Sequence, residues 1–230
     1  MLLSITSYTP KNPPKGILFD LDGTLVNTAP DILGTVNDVL EKRGFKQRAD
    51  HSMIGMAGDG IGSFISKLTG LNEKSVRFQE LRHAMFHHYR TRCWQDSHIF
   101  AGVEQLLAEL SSKQIPWGIV TNKTEMLTMP MLKKLGWDKQ AKAIVCADTT
   151  AYKKPHPDPM LYAAACLNIA PQDCLYLGDA KRDILAAKAA KMPVIAASYG
   201  YVGDENFHKW PADAYIENMG EFINWLQHQA

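Results

Sequence analysis

Two aspartates two residues apart, Asp20 and Asp22, follow the apolar run Gly16-Ile17-Leu18-Phe19, and Gly23 comes directly after them. A run of this kind reads as a buried strand, and in an open α/β sheet ligands bind outside the carboxyl ends of the strands. Acids placed there are presented to a ligand and not to the core. Within a strand the two side chains would share a face, but Gly23 and Thr24 predict a chain already turning at Asp22. The carboxylate of one aspartate and the main-chain carbonyl of the other can then reach a single hard cation, because Mg2+ takes oxygen ligands in a tight octahedron. Taken alone, the pair is read better as a solvated turn that caps the next helix.

Three further groups stand at or soon after the ends of apolar runs. Thr121-Asn122 closes Trp117-Gly118-Ile119-Val120, and Lys154 lies in Lys153-Lys154-Pro155-His156-Pro157. Asp179 and Asp183 follow Cys174-Leu175-Tyr176-Leu177-Gly178. Together with D-x-D-G-T, in this order, they resemble the four motifs of the haloacid dehalogenase superfamily of phosphohydrolases, over residues 16 to about 200. The resemblance implies that Asp20 is the nucleophile and forms an aspartyl-phosphate. Asp22 would protonate the leaving alcohol and later deprotonate the attacking water.

The same resemblance implies Mg2+ held by Asp20, the main-chain carbonyl of Asp22 and Asp179, with Lys154 supplying a further positive charge. Thr121 and Asn122 would offer a hydroxyl and an amide to the phosphoryl oxygens. Asp183 would act through a metal-bound water or by orienting Lys154. Lys153 is the rival lysine, and Lys154 is preferred because it directly precedes Pro155, as in the family's K-P-x-P pattern. Ala180 departs from the hydroxyl or acidic residue frequent there, which leaves Asp183 more solely responsible for the outer metal shell.

At 230 residues, 46% hydrophobic and 21% charged, the chain can bury one substantial core with room for an accessory unit. The formal net charge is +1, with no long basic block, which argues against a nucleic-acid partner. Attraction for an anionic substrate must therefore be local. Cys93, Cys146, Cys166 and Cys174 show no metal-ligand spacing, and Cys146 and Cys174 read as buried thiols. A reducing cytoplasm fits. No secretory leader or membrane span is expected, and residues 6–15, with three prolines, read as an extended tail.

The elements that must position these residues follow from periodicity. Strands are expected at 16–20, 115–120, 143–146, 174–177 and 193–197, with a further one around 214–216. Helices are expected from 28 to Gly44, around 64–68, within 73–93, after Gly102, and at 125–135, 158–167, 183–190 and 221–227. Pro130 predicts a kink or a later start for the helix at 125–135. The glycine-rich stretch 53–62 reads either as a mobile loop over a ligand or as a flexible interhelix turn. His83, His87 and His88 read as a solvated or interface face, with cation capture as the lesser alternative.

The fold class expected is α/β, a doubly wound Rossmann-like parallel sheet core, residues 1–27 and 98–230, interrupted by a small α-helical cap at 28–97. A small phosphate ester is the partner expected of a monomer or homodimer, and neither nucleic acid nor membrane is. At subfamily level the chain resembles the phosphoglycolate phosphatases. Tyr89-Arg90-Thr91-Arg92-Cys93, the segment from Trp117 to Lys123, and Ser198-Tyr199-Gly200-Tyr201 also resemble the N-acetylmuramic acid 6-phosphate phosphatases. Both substrates carry a carboxylate besides the phosphate and call for a cationic or N–H-rich cap surface. Stretch 55–62 and Arg48 could provide it, although Arg48 reads more simply as solvated surface. A phosphomutase is the lesser alternative. A dehalogenase would not require the acid-base group of Asp22, and a silent binding protein would be expected to lack one of Asp20, Asp22, Lys154 or Asp179.

Overall fold

The computed structural model describes residues 3–202 and 206–229. The strands are β1 (Gly16–Phe19), β2 (Val26–Asn27), β3 (His98–Ile99), β4 (Trp117–Val120), β5 (Ala143–Val145), β6 (Cys174–Gly178), β7 (Val194–Ala197) and β8 (Ala214–Ile216). The helices are α1 (Ala29–Lys42), α2 (Ile61–Thr69), α3 (Val76–Arg92), α4 (Val103–Ser112), α5 (Glu125–Leu135), α6 (Asp158–Leu167), α7 (Lys181–Ala189) and α8 (Met219–Gln227). The chain divides into two compact units, Met1–Val26 with Ile99–Ala230, and Asn27–His98.

The first unit is built on a six-stranded sheet in the order β5-β4-β1-β6-β7-β8, with every pairing parallel. All residues of β1, β4, β6 and β7 are buried, as expected of strands covered on both faces by helices. The strand order reverses at β1: the chain adds β4 and β5 on one side, then crosses to β6 on the other. Such a switch point opens a crevice at the carboxyl ends of the strands. Phe19 is in register with both Ile119 and Leu177. The first residues beyond β1, β4 and β6 are Asp20, Thr121 and Asp179, so the sheet itself delivers them to one edge.

Three local features differ from the sequence reading. The N-terminal segment is anchored, not merely extended: Ile5 is fully buried, Tyr8 stacks on Trp225, and the Trp225 indole donates to the Tyr8 carbonyl. Apolar anchors ahead of the prolines fix the segment. Helix α5 runs unbroken through Pro130, which lies on its exposed side. Stretch 51–59 forms a run of 3-10 turns where a loop was expected, and its start is capped by the Asp50 carboxylate, which accepts from the Ser52 amide at 2.9 Å. The side chains of residues 58 and 59 lie outside the described residues.

The second unit is helical. Its core draws on Val36 and Leu40 of α1, Phe64 and Ile65 of α2, and Phe78, Leu81, Met85 and Tyr89 of α3. Ser75 caps α3 by accepting from the Phe78 amide. Asp31, in the first turn of α1, is fully buried and closes the turn after α3. It accepts from the amides of Trp94, Gln95, Asp96 and Ser97 and from the Ser97 hydroxyl.

Candidate active site

Asp20 begins where β1 stops pairing. Its amide still donates to the Leu177 carbonyl, and its Oδ1 accepts from the Leu21 amide at 2.7 Å. The chain then folds back, with the Gly23 amide donating to the Val26 carbonyl and Gly23 at φ 90°. That backbone region suits glycine, and a Cβ at Gly23 would also collide with the Asp179 carboxylate. A glycine is therefore required here for two independent reasons.

Lys154 enters the same edge from the loop before α6. Its Nζ is fully buried, 3.0 Å from Asp20 Oδ1 and 2.6 Å from Asp183 Oδ1, and it donates to the Val120 carbonyl at 2.7 Å. Lys153, its sequence rival, is exposed. Both polar contacts to the Asp20 side chain fall on Oδ1, and among the described residues none engages Oδ2. Asp183 is the N-terminal acid of α7, with Oδ2 accepting from the Ala180 amide at 3.0 Å and Oδ1 on the lysine.

Asp179 is held on both oxygens. Thr24 Oγ1 donates to Oδ1 at 2.6 Å and the Tyr201 amide donates to Oδ2 at 2.7 Å. Gly200 lets the loop after β7 pass close to it, since a Cβ there would meet the same carboxylate. Asp20, Asp179 and Asp183 are all buried and offer oxygens within 4.8 Å of one another. Burial raises the Asp20 carboxyl well above its ordinary range; Asp183 and Asp179 add to this while Lys154 and Arg182 oppose it. Burial likewise raises Asp179, with Asp183 adding to it and the Thr24 and Tyr201 hydrogen bonds pulling it back. Three crowded carboxylates of this kind favour a hard divalent cation, so the donor set fits Mg2+.

Two residues occupy positions that sequence patterns did not anticipate. Asn122, expected to present its amide to phosphoryl oxygens, also clamps the main chain of Lys154. Its Nδ2 donates to the Lys154 carbonyl and its Oδ1 accepts from the Lys154 amide, both at 3.0 Å. Lys123, to which no role was given, places Nζ 2.8 Å from Asp22 Oδ1 with only 6% of its side chain exposed. The hint was the position itself, directly after Thr121-Asn122. Thr121 is buried, and its Oγ1 accepts from the Lys123 amide at 3.1 Å.

The remaining candidates lie in the helical unit. His83 and His87 are exposed with ring centroids 6.2 Å apart, and His88 pairs with Asp38 at 2.8 Å. Arg48 is largely exposed and 3.7 Å from Glu41. In the sheet unit, burial raises both the Cys146 and the Cys174 thiol to about 11, so neither is poised as a nucleophile. No helix among the described residues is long and apolar enough to cross a membrane.

Comparison with known proteins agrees with this geometry. A phosphoglycolate phosphatase from Xanthomonas campestris pv. campestris is 38% identical over 205 residues, covering 89% of this chain and 92% of that protein. An N-acetylmuramic acid 6-phosphate phosphatase from Pseudomonas putida is 31% identical over 205 residues, again covering 89% and 92%. Among solved structures, a predicted phosphoglycolate phosphatase from Haemophilus somnus superimposes with a TM-score of 0.83 at 23% identity, covering 93% of this chain and 98% of that one. The family model for haloacid dehalogenase-like hydrolases matches residues 17–197, which takes in Asp20, Asp22, Thr121, Asn122, Lys154, Asp179 and Asp183. With its parallel sheet and acidic crevice, the chain belongs to the haloacid dehalogenase-like hydrolases.

Proposed function

We propose that this enzyme is a Mg2+-dependent phosphomonoesterase that hydrolyses a small carboxylate-bearing phosphate ester through an aspartyl-phosphate. The observation that carries the reading is the buried set of Asp20, Lys154, Asp179 and Asp183 at the switch point of the sheet. Asp20 Oδ2 attacks phosphorus, and the bond to the leaving oxygen breaks as Asp22 delivers a proton to that oxygen. Asp22 then takes a proton from water, whose oxygen attacks phosphorus and releases inorganic phosphate and free Asp20.

Lys154 and Thr121 offset phosphoryl charge, and Asn122 fixes the backbone from which Lys154 projects. Asp20, the Asp22 carbonyl and Asp179 would hold Mg2+, with Asp183 in the outer shell. When bound, the ion supplies positive charge that lets an anionic nucleophile approach an anionic phosphate. Residues 28–97 are read as the cap that selects the leaving group, and the protein as a cytoplasmic monomer or homodimer.

The lead substrate is 2-phosphoglycolate, because the phosphoglycolate phosphatase relative is the more similar of the two kinds. N-acetylmuramic acid 6-phosphate is the second reading, favoured by a relative matched over the same share of the chain. Phosphate release from both compounds, with and without Mg2+, is the test. Mg2+-dependent release with a higher kcat/KM for 2-phosphoglycolate is expected. The opposite preference replaces the lead substrate by the second, and transfer to a sugar without net phosphate release overturns the hydrolase reading in favour of a mutase.

A further inference from the structure

We propose that Tyr176 is a positioning residue of this site, whose phenol directs the ammonium protons of Lys154; the inference rests on the reading of Lys154 as the phosphoryl-binding lysine. Tyr176 is the third residue of β6 and fully buried, among Leu18, Val120, Val145, Met160 and Ala163. An apolar pocket of that kind would be filled at lower cost by phenylalanine, because a buried hydroxyl is unfavourable unless it is hydrogen-bonded. The phenol is hydrogen-bonded, and every partner belongs to the lysine's own circle. It accepts from Lys154 Nζ at 3.0 Å and lies 3.0 Å from the Val120 carbonyl and 3.2 Å from Asp183 Oδ1.

Proton counting shows what the phenol does. Four oxygens lie within hydrogen-bond reach of Lys154 Nζ: the Val120 carbonyl, Asp183 Oδ1, Asp20 Oδ1 and the Tyr176 hydroxyl. An ammonium has three protons. The two nearest oxygens, at 2.7 and 2.6 Å, take one each, and the third proton is contested by Asp20 and Tyr176, both at 3.0 Å. Of the two rivals, the phenol can turn its own O–H toward Val120 or Asp183. It can therefore give up the third proton to an arriving phosphoryl oxygen without leaving a buried group unsatisfied. Without it, that proton is committed to Asp20 and the ammonium is drawn toward two carboxylates.

Tyr176→Phe preserves the ring and removes only the hydroxyl. The expected result is a fall in kcat of about tenfold, the order set by one hydrogen bond to a charged group. KM should change less than threefold, and inhibition by inorganic phosphate should weaken. A residue that serves packing alone would move thermal stability and leave kcat in place. Lys154→Met, measured alongside, separates the two layers. If Lys154→Met is inactive and Tyr176→Phe turns over within twofold of the parent, the tyrosine inference fails while the function stands. If Lys154→Met is fully active, the reading of the lysine fails and the inference falls with it. Should Tyr176→Phe not fold, 3-fluorotyrosine at position 176 keeps the shape and weakens the accepting oxygen. A kcat below the parent's then supports the role, and an unchanged kcat overturns it.

Discussion

Lys123 Nζ sits 2.8 Å from Asp22 Oδ1, so the second aspartate of the pair has a lysine partner of its own, as Asp20 has Lys154 at 3.0 Å. The lysine contributes from the loop after β4, 101 positions along the chain. With the Lys123 side chain only 6% exposed, the pair is screened little by solvent. Its geometric effect is to hold one rotamer of Asp22 at the mouth of the crevice. Lys123→Met should therefore lower kcat by roughly tenfold for substrates with poor leaving groups, and less for activated aryl phosphates that need little protonation. Lys123→Arg should recover part of the loss. Equal losses across leaving groups would show that the lysine supports the fold or binds phosphate and does not aim the acid.

Asp20 has been placed where its charge is costly. Burial, the neighbouring Asp183 and Asp179 raise it from 3.8 to about 8, against Lys154 and Arg182. A carboxyl raised in the folded state contributes stability that is present below its unfolded value and lost as the pH climbs through the folded one. In the metal-free protein, stability from this group should thus decline between about pH 4 and pH 8. Asp20→Asn should abolish turnover, remain folded, and lose that slope. Chemical denaturation in chelator at pH 5 and pH 8 measures the difference, and a parallel pH response of parent and variant would contradict it.

The same crowding predicts linkage to Mg2+. An ion that binds only the folded state at a concentration 100 times its Kd stabilises by ~2.7 kcal/mol, which is several degrees of Tm for a chain of this size. Asp179→Asn should remove most of that shift, because Asp179 is buried and already oriented on both oxygens by Thr24 and Tyr201. Ca2+ should stabilise yet restore activity poorly, since its looser coordination disturbs in-line geometry. A Tm shift of equal size in parent and Asp179→Asn would place the ion elsewhere.

Asn122 offers a clean separation of roles. If it clamps Lys154, Asn122→Ala removes two hydrogen bonds at 3.0 Å and costs about 2 kcal/mol of stability. The fall should then be in kcat, through a less well held lysine. A residue that instead binds the phosphoryl group would raise KM and the inhibition constant for inorganic phosphate while leaving Tm nearly unchanged.

What was legible in the sequence, and what was not, divides along a physical line. Asp20, Thr121 and Asp179 could be placed at one edge because each ends an apolar run, and runs of buried parallel strands announce themselves locally. Lys154 and Asp183 were placed beside them by the resemblance, but other side-chain pairings could not be read. The Lys123–Asp22 pair, the Asn122 clamp and the Tyr176 phenol depend on side-chain directions across strands whose order no local pattern encodes. Tyr176 in particular reads as one more apolar residue of β6 until its hydroxyl is seen to face Lys154. The anchored N-terminus was missed for a related reason: Ile5 and Tyr8 find their apolar surroundings on α8, more than 200 residues away.

Asp31 shows the same limit in the helical unit and supports the last prediction. It stands in the first turn of α1, where an acid suits the helix N-terminus, and its carboxylate is fully buried and consumed by the turn after α3. Four successive amides, Trp94 to Ser97, and the Ser97 hydroxyl all donate to it, and Arg92 Nε lies 3.8 Å from its Oδ1. Trp94 is held there at φ 73°, a backbone state that a tryptophan does not adopt without support. Asp31→Ala would leave those part-buried donors without their shared acceptor, at a cost of about 1–3 kcal/mol. Hydrogen exchange at the amides of residues 94–97 should accelerate first, ahead of the sheet strands, because the turn loses its only shared acceptor among the described residues. Unchanged protection at these four amides would mean that packing of α3, and not the buried carboxylate, fixes the turn.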